Sequence, residues 1–138
     1  MAASLRGGAA GGSSFLIHLV DDDDAVRTTL ARLLNLSGYG VREYASGAEL
    51  LEAADELKGG CVLLDLNMPV ADGIAVYQAL KDRSIDVPVI LMTGAGDLAV
   101  SELRAEVAGV IQKPFRRVEL LSMLESLSAS HDAGAKAQ

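Results

Sequence analysis

The sequence predicts an α/β fold, a doubly wound five-stranded parallel sheet with helices on both faces. Short apolar runs, FLIHLV (15–20), CVLLDL (61–66) and VPVILM (87–92), alternate with segments whose apolar residues recur at helical spacing. Strands that alternate with helices imply right-handed crossovers, and hence a parallel sheet covered on both sides. With 138 residues, half of them apolar, the chain suits one domain with a substantial core.

The first strand, 15–20, stops at the acidic run Asp21-Asp22-Asp23-Asp24. A helix follows over 24–37, with Val26, Leu30, Leu33 and Leu34 on its apolar side and Gly38 as its stop. Residues 39–44 alternate in polarity and make a weaker second strand. Ser46-Gly-Ala-Glu49 fits a capping box, the hydroxyl accepting from an early helical N–H while Glu49 reaches back. The helix it opens extends to about Leu57, before Lys58-Gly59-Gly60. The third strand, 61–66, is branched and apolar enough to be fully buried. Asp72 caps a short helix carrying Ile74, Tyr77 and Leu80, and 87–92 is the fourth strand, with Pro88 near its start. Asp97 caps a helix through Glu106, with Leu98, Leu103 and Val107 on its apolar side. Residues 109–112 form a short fifth strand, and 116–127 a closing helix with Val118, Leu121 and Leu124 inward. Residues 1–14, rich in glycine, alanine and serine, read as a flexible arm, and 128–138 as a flexible tail, leaving 15–127 as the folded domain.

Charge and cysteine content exclude several classes. Nineteen acidic against 12 basic residues give a net charge of -7, which argues against general affinity for nucleic-acid phosphates. The single Cys61 forms no internal disulfide, so a reducing, cytoplasmic compartment is expected. No apolar stretch approaches the roughly 20 residues that span a bilayer, and the arm lacks the apolar region of a secretory signal. Membrane insertion is not expected.

In doubly wound folds ligands sit beyond the carboxyl ends of the strands. There stand Asp21–Asp24 after the first strand and Asp65, then Asn67-Met68-Pro69, after the third. Thr93-Gly94 follows the fourth strand and Lys113-Pro114-Phe115 the fifth. Two carboxylates about 4 Å apart repel by about 4 kcal/mol at an effective dielectric of 20. Asp21, Asp22 and Asp65 brought together therefore take up protons or bind a cation, and Mg²⁺ suits a few carboxylates plus water. Carboxylate, metal, lysine and hydroxyl are the parts that handle a transferring phosphoryl group. Asp65, alone at its strand end, is the candidate nucleophile.

These residues carry a family resemblance over the whole folded length. Val20-Asp21-Asp22, Asp65-Leu66-Asn67-Met68-Pro69 with Asp72-Gly73, Met92-Thr93-Gly94 and Lys113-Pro114-Phe115 occur in order, each motif starting at or near a strand end. The chain resembles a response-regulator receiver domain of the CheY-like superfamily, with its flavodoxin-like receiver fold. The resemblance implies that Asp65 accepts a phosphoryl group from a sensor histidine kinase or histidine phosphotransfer protein. It implies that Asp21, Asp22 and Asp65 hold Mg²⁺, directly or through water, together with the backbone carbonyl of Asn67. Thr93 would bond the phosphoryl oxygen and Lys113 would pair with it; Gly73 and a cis Lys113–Pro114 peptide would shape the backbone. Output would run through protein contacts, with a downstream target or a second copy, and without direct contact to nucleic acid. The short remainder after Leu127 fits a stand-alone, single-domain regulator or a receiver cut from a longer one, the stand-alone form being the favoured expectation. The sequence departs from the family at Val110, where an aromatic residue is usual.

Other readings weigh less. Asp23 and Asp24 are expected as a helix cap and its first turn. His18 is expected as a packed core histidine, Cys61 as a small core residue, and His131 carries no role. Gly94 and Gly96 belong to no phosphate-loop motif. The Leu120, Met123, Leu124 and Leu127 cluster divides between core and a possible partner face. An aspartyl-phosphate phosphatase usually has a second aspartate where Asn67 stands, and a flavin phosphate would be repelled by Asp21–Asp24. The domain is thus expected to be no enzyme beyond its own phosphoryl uptake and loss. The alternative is a receiver-fold interaction module whose binding phosphorylation does not switch.

Overall fold

A computed structural model of the chain describes residues 15–57, 59–66, 73–94 and 103–137, with 131–137 by backbone alone. Five strands, β1 (Leu16–Val20), β2 (Gly40–Tyr44), β3 (Cys61–Asp65), β4 (Val89–Thr93) and β5 (Gly109–Gln112), form one sheet in the order β2-β1-β3-β4-β5. Every neighbouring pair is parallel. The described helices are α1 (Asp24–Leu36), α2 (Gly47–Glu52), α3 (Gly73–Asp82) and α4 (Arg117–Ala137).

Side chains alternate across each strand, so every buried strand feeds two cores. Ile17, Leu19, Leu63, Ile90, Met92 and Ile111 pack with Leu30, Ala31 and Leu34 of α1 and Leu120 and Leu124 of α4. Val20, Val62, Leu64, Val89 and Leu91 pack on the opposite face with Leu50 of α2 and Val76, Tyr77 and Leu80 of α3. β3 and β4 are buried along their whole length, which is why they read as unbroken apolar runs.

Local chemistry sets most element ends. Asp23 caps α1 by accepting from the Val26 amide at 3.1 Å, and Gly38 leaves the helix at φ 100°. Ser46 Oγ accepts from the Glu49 amide at 3.2 Å, while Glu49 reaches back to the Ala45 amide at 3.0 Å. β4 begins directly after Pro88, whose carbonyl accepts from the Val62 amide at 2.9 Å.

Four expectations need correction. The helix after Ser46 does not run unbroken to Leu57: α2 ends at Glu52 and a 3₁₀ turn, Ala54–Glu56, follows. Ala54 and Leu57 are both buried, and a spacing of three places them on one side of the tighter 3₁₀ geometry. Val26 and Val118, expected inward, are 43 % and 63 % exposed, because Leu30 and Leu34, and Leu120 and Leu124, already fill the space under α1 and α4. The closing helix continues ten residues past Leu127, to Ala137, since no proline interrupts its backbone hydrogen bonds where the apolar pattern ends. Of the helix expected over 97–106, the start lies outside the described residues. Leu103 is helical and buried, and residues 104–106 are already turn. The Asp72 cap also lies outside the described residues.

Candidate functional site

The strand order reverses direction between β1 and β3, so the crevice beyond their carboxyl ends is the topological switch point. Register delivers the polar residues there. Val20 pairs with Leu64 and Asp65 with Met92, which puts Asp21, Asp65 and Thr93 on one edge. Thr93 pairs with Gln112 and its carbonyl accepts from the Lys113 amide at 2.7 Å, which brings Lys113 to the same edge.

The side chains converge. Asp21, Asp22 and Asp65 each offer an oxygen within 4.8 Å of the others. Asp21 and Asp65 are 1 % and 3 % exposed, while Asp22 is exposed. Lys113 Nζ stands 3.3 Å from Asp65 Oδ1 and 3.7 Å from Asp21 Oδ2. Thr93 is buried, and its hydroxyl donates to the Gly94 carbonyl at 3.1 Å. The Lys113–Pro114 peptide is cis, as the resemblance implied. Asn67 lies outside the described residues.

Electrostatics at this edge are unbalanced. Burial, and then the charge of Asp65, raise the Asp21 carboxyl above the usual range, opposed by the Asp23 amide and Lys113. Asp21 Oδ1 accepts from the Asp23 amide at 2.9 Å, while Oδ2 is buried with no hydrogen bond. A buried carboxylate oxygen without a donor, beside two further carboxylates, fits a hard divalent cation with oxygen ligands. One lysine supplies less positive charge than the three acids carry.

Gly73 holds α3 against the floor of the site. A Cβ there would stand 2.8 Å from the Asp65 carbonyl and 2.6 Å from Leu66 Cδ2, so only glycine permits this approach. Val110 lies in β5 opposite Leu91, half-buried against the core on the α2–α3 face. Sequence reasoning passed over Arg27, whose guanidinium donates to the Asp21 carbonyl at 2.8 Å. Its one signal was an opposite charge three residues after Asp24, an ordinary helix pairing. His18 is a core residue as expected, and its Nδ1 is 2.9 Å from the Tyr44 hydroxyl.

Comparison with known proteins agrees with this geometry. The family model described as the response regulator receiver domain matches residues 17–125. The transcriptional regulatory protein FixJ of Azorhizobium caulinodans is 38 % identical over 124 residues, covering 88 % of this chain and 59 % of FixJ. The tetrathionate response regulatory protein TtrR of Salmonella typhimurium is 39 % identical over 123 residues, covering 87 % and 60 %. The chain thus spans about three-fifths of the length of these relatives. Among solved structures, FixJ-N superposes with a TM-score of 0.77 at 31 % identity, covering 84 % of this chain and 94 % of that one. The chemotaxis protein CheY4 of Vibrio cholerae superposes with a TM-score of 0.71 at 26 % identity, covering 81 % and 97 %. Receiver domains are signalling modules that typically bind Mg²⁺ in an acidic pocket, and response regulators take their signal from histidine kinases and phosphotransfer proteins. No described helix is long and apolar enough to cross a membrane. With the sheet order, the acidic edge and the family model in agreement, this chain belongs to the response regulator receiver domains of two-component signalling.

Proposed function

We propose that Asp65 is the phosphoacceptor, taking a phosphoryl group from a phosphohistidine of a sensor kinase or phosphotransfer protein. The observation that carries this is the buried Asp65 carboxylate, 3.3 Å from the Lys113 ammonium, with oxygens of Asp21 and Asp22 within 4.8 Å. A carboxylate oxygen of Asp65 forms the new bond to phosphorus as the donor's phosphorus–nitrogen bond breaks, and the imidazole leaves. Lys113 faces the charge on the phosphoryl oxygens, and the Thr93 hydroxyl turns from the Gly94 carbonyl to donate to one of them. Asp21, Asp22 and Asp65 would hold Mg²⁺, joined by the Asn67 carbonyl. When bound, the ion supplies fixed positive charge against the oxygens of the transferring group. The domain turns over no external metabolite. It signals through protein contacts, to a downstream target or a second copy, and a cytoplasmic location suits such a partner. The relatives are named as regulators, which favours a switched signal over an interaction module indifferent to phosphorylation.

Intact mass after incubation with a small acyl phosphate tests this. The wild-type chain with Mg²⁺ is expected to gain one phosphoryl group, and Asp65→Asn, or the wild type in a chelator, to gain none. Equal labelling of Asp65→Asn would move the acceptor elsewhere.

A further inference from the structure

Arg27 belongs to none of the four family motifs, yet it makes a dense set of contacts at the edge of the site. Its side chain is 13 % exposed. Nη1 donates to the Asp21 carbonyl at 2.8 Å, Nη2 to Asp24 Oδ1 at 2.7 Å and Nε to Glu43 Oε1 at 3.3 Å. Asp24 opens α1 and Glu43 lies on β2, so one planar fork ties the end of β1 to two other elements.

The remaining contacts of Asp21 show what this tie controls. Its amide donates to the Tyr44 carbonyl at 3.1 Å, and its Oδ1 accepts from the Asp23 amide at 2.9 Å. The carbonyl held by Arg27 belongs to the peptide that joins Asp21 to Asp22. Rotation of that peptide would swing the Asp22 carboxylate away from Asp65 and carry off the Asp23 amide that holds Asp21 Oδ1.

We propose that Arg27 is a positioning residue for the divalent cation, an inference that rests on the metal reading above. Its fork holds the Asp21–Asp22 peptide so that both carboxylates meet Asp65 around one ion. Partners behind metal ligands act in this way elsewhere, fixing ligand orientation without touching the ion. Charge alone argues the reverse. A guanidinium near the site repels a cation, so its removal would tighten binding if Arg27 acted only through its field. That field is largely neutralised by Asp24 and Glu43, which leaves orientation as the dominant effect.

The sign of the change in Mg²⁺ affinity therefore decides. Calorimetric titration of the full chain with Mg²⁺ at fixed ionic strength, with the melting temperature of each variant recorded in chelator, provides the readout. Arg27→Ala is expected to weaken Mg²⁺ binding about tenfold. Arg27→Lys keeps the charge but loses the fork, and is expected to recover only part of that loss. Glu43→Gln keeps an acceptor for Nε and is expected to stay near wild type. Unchanged or tighter binding in Arg27→Ala overturns the proposal, as does full affinity in Arg27→Lys should the alanine variant not fold. A wild-type chain that binds no Mg²⁺ overturns the metal reading itself, and this inference with it.

Discussion

His18 is fully buried, with Nδ1 2.9 Å from the Tyr44 hydroxyl and Nε2 without a hydrogen bond. Burial, and then the positive charge of Arg42, lower its pKa from 6.5 to about 4, against a smaller opposing pull from Glu56. The unfolded chain thus binds a proton between those values that the folded chain refuses. Stability from this residue is complete above about pH 6.5, falls as pH drops towards 4, and changes no further below. The full effect is about 3 kcal/mol at 1.36 kcal/mol per unit. His18→Asn offers a polar atom to Tyr44 but cannot take up the proton. Urea unfolding at pH 7 and pH 4.5 is expected to show wild type losing more stability than the variant. Equal losses would mean that protonation of His18 does not cause the loss. The location of His18 was legible as a histidine within an apolar run. Its partner, 26 residues away on the neighbouring strand, was not.

Where an element ends on its own local chemistry, the sequence already shows it. Ser46 and Glu49 form the capping pair expected of them, and Gly38 ends α1 in a conformation with positive φ. Where packing sets the end, the sequence misleads. The 3₁₀ turn at Ala54–Glu56 exists because Ala54 and Leu57 must both reach the core, and nothing local signals the tightening. Gly73 is a third kind of case, a motif residue whose reason is spatial. Gly73→Ala would push a Cβ to within 2.8 Å of the Asp65 carbonyl, which belongs to the fully buried strand β3. A loss of about 2 kcal/mol is expected, in the range of overpacked cores, together with weaker Mg²⁺ binding because the distortion falls on Asp65. Urea midpoints and Mg²⁺ titration measure the two effects. A variant of unchanged stability would show that α3 can move aside.

Across the whole molecule, function and stability pull against each other at the switch point. The ends of two strands, β1 and β3, bring Asp21, Asp22 and Asp65 together, and burial with mutual repulsion raises the Asp21 carboxyl. A carboxyl raised on folding costs stability above its unfolded pKa, and the cost shrinks as pH falls and the group takes up its proton. Removing that charge relieves the cost. Asp21→Asn is therefore expected to melt higher than wild type in chelator at neutral pH, while losing the rise in melting temperature that Mg²⁺ gives wild type. Melting curves with and without Mg²⁺ check both halves. A variant less stable than wild type in chelator would mean that the attraction of the Asp21 charge to Lys113 and the Asp23 amide outweighs burial and repulsion.

The fold class was legible in the sequence alone, and so were the five side chains, Asp21, Asp22, Asp65, Thr93 and Lys113, that the structure brings to one edge; Arg27 was not. The reason is that strand runs, helical spacing and strand-end residues are local patterns, and a parallel sheet brings all its strand ends to one edge. The tertiary structure decided what depends on contacts between distant segments. It set which side of each helix the core claims, so that Val26 and Val118 face outward. It left Asp21 Oδ2 without a donor, and it carried the Arg27 fork across to Glu43, 16 residues away. Such contacts join residues whose spacing in the chain follows no period, and only the folded sheet brings them within reach.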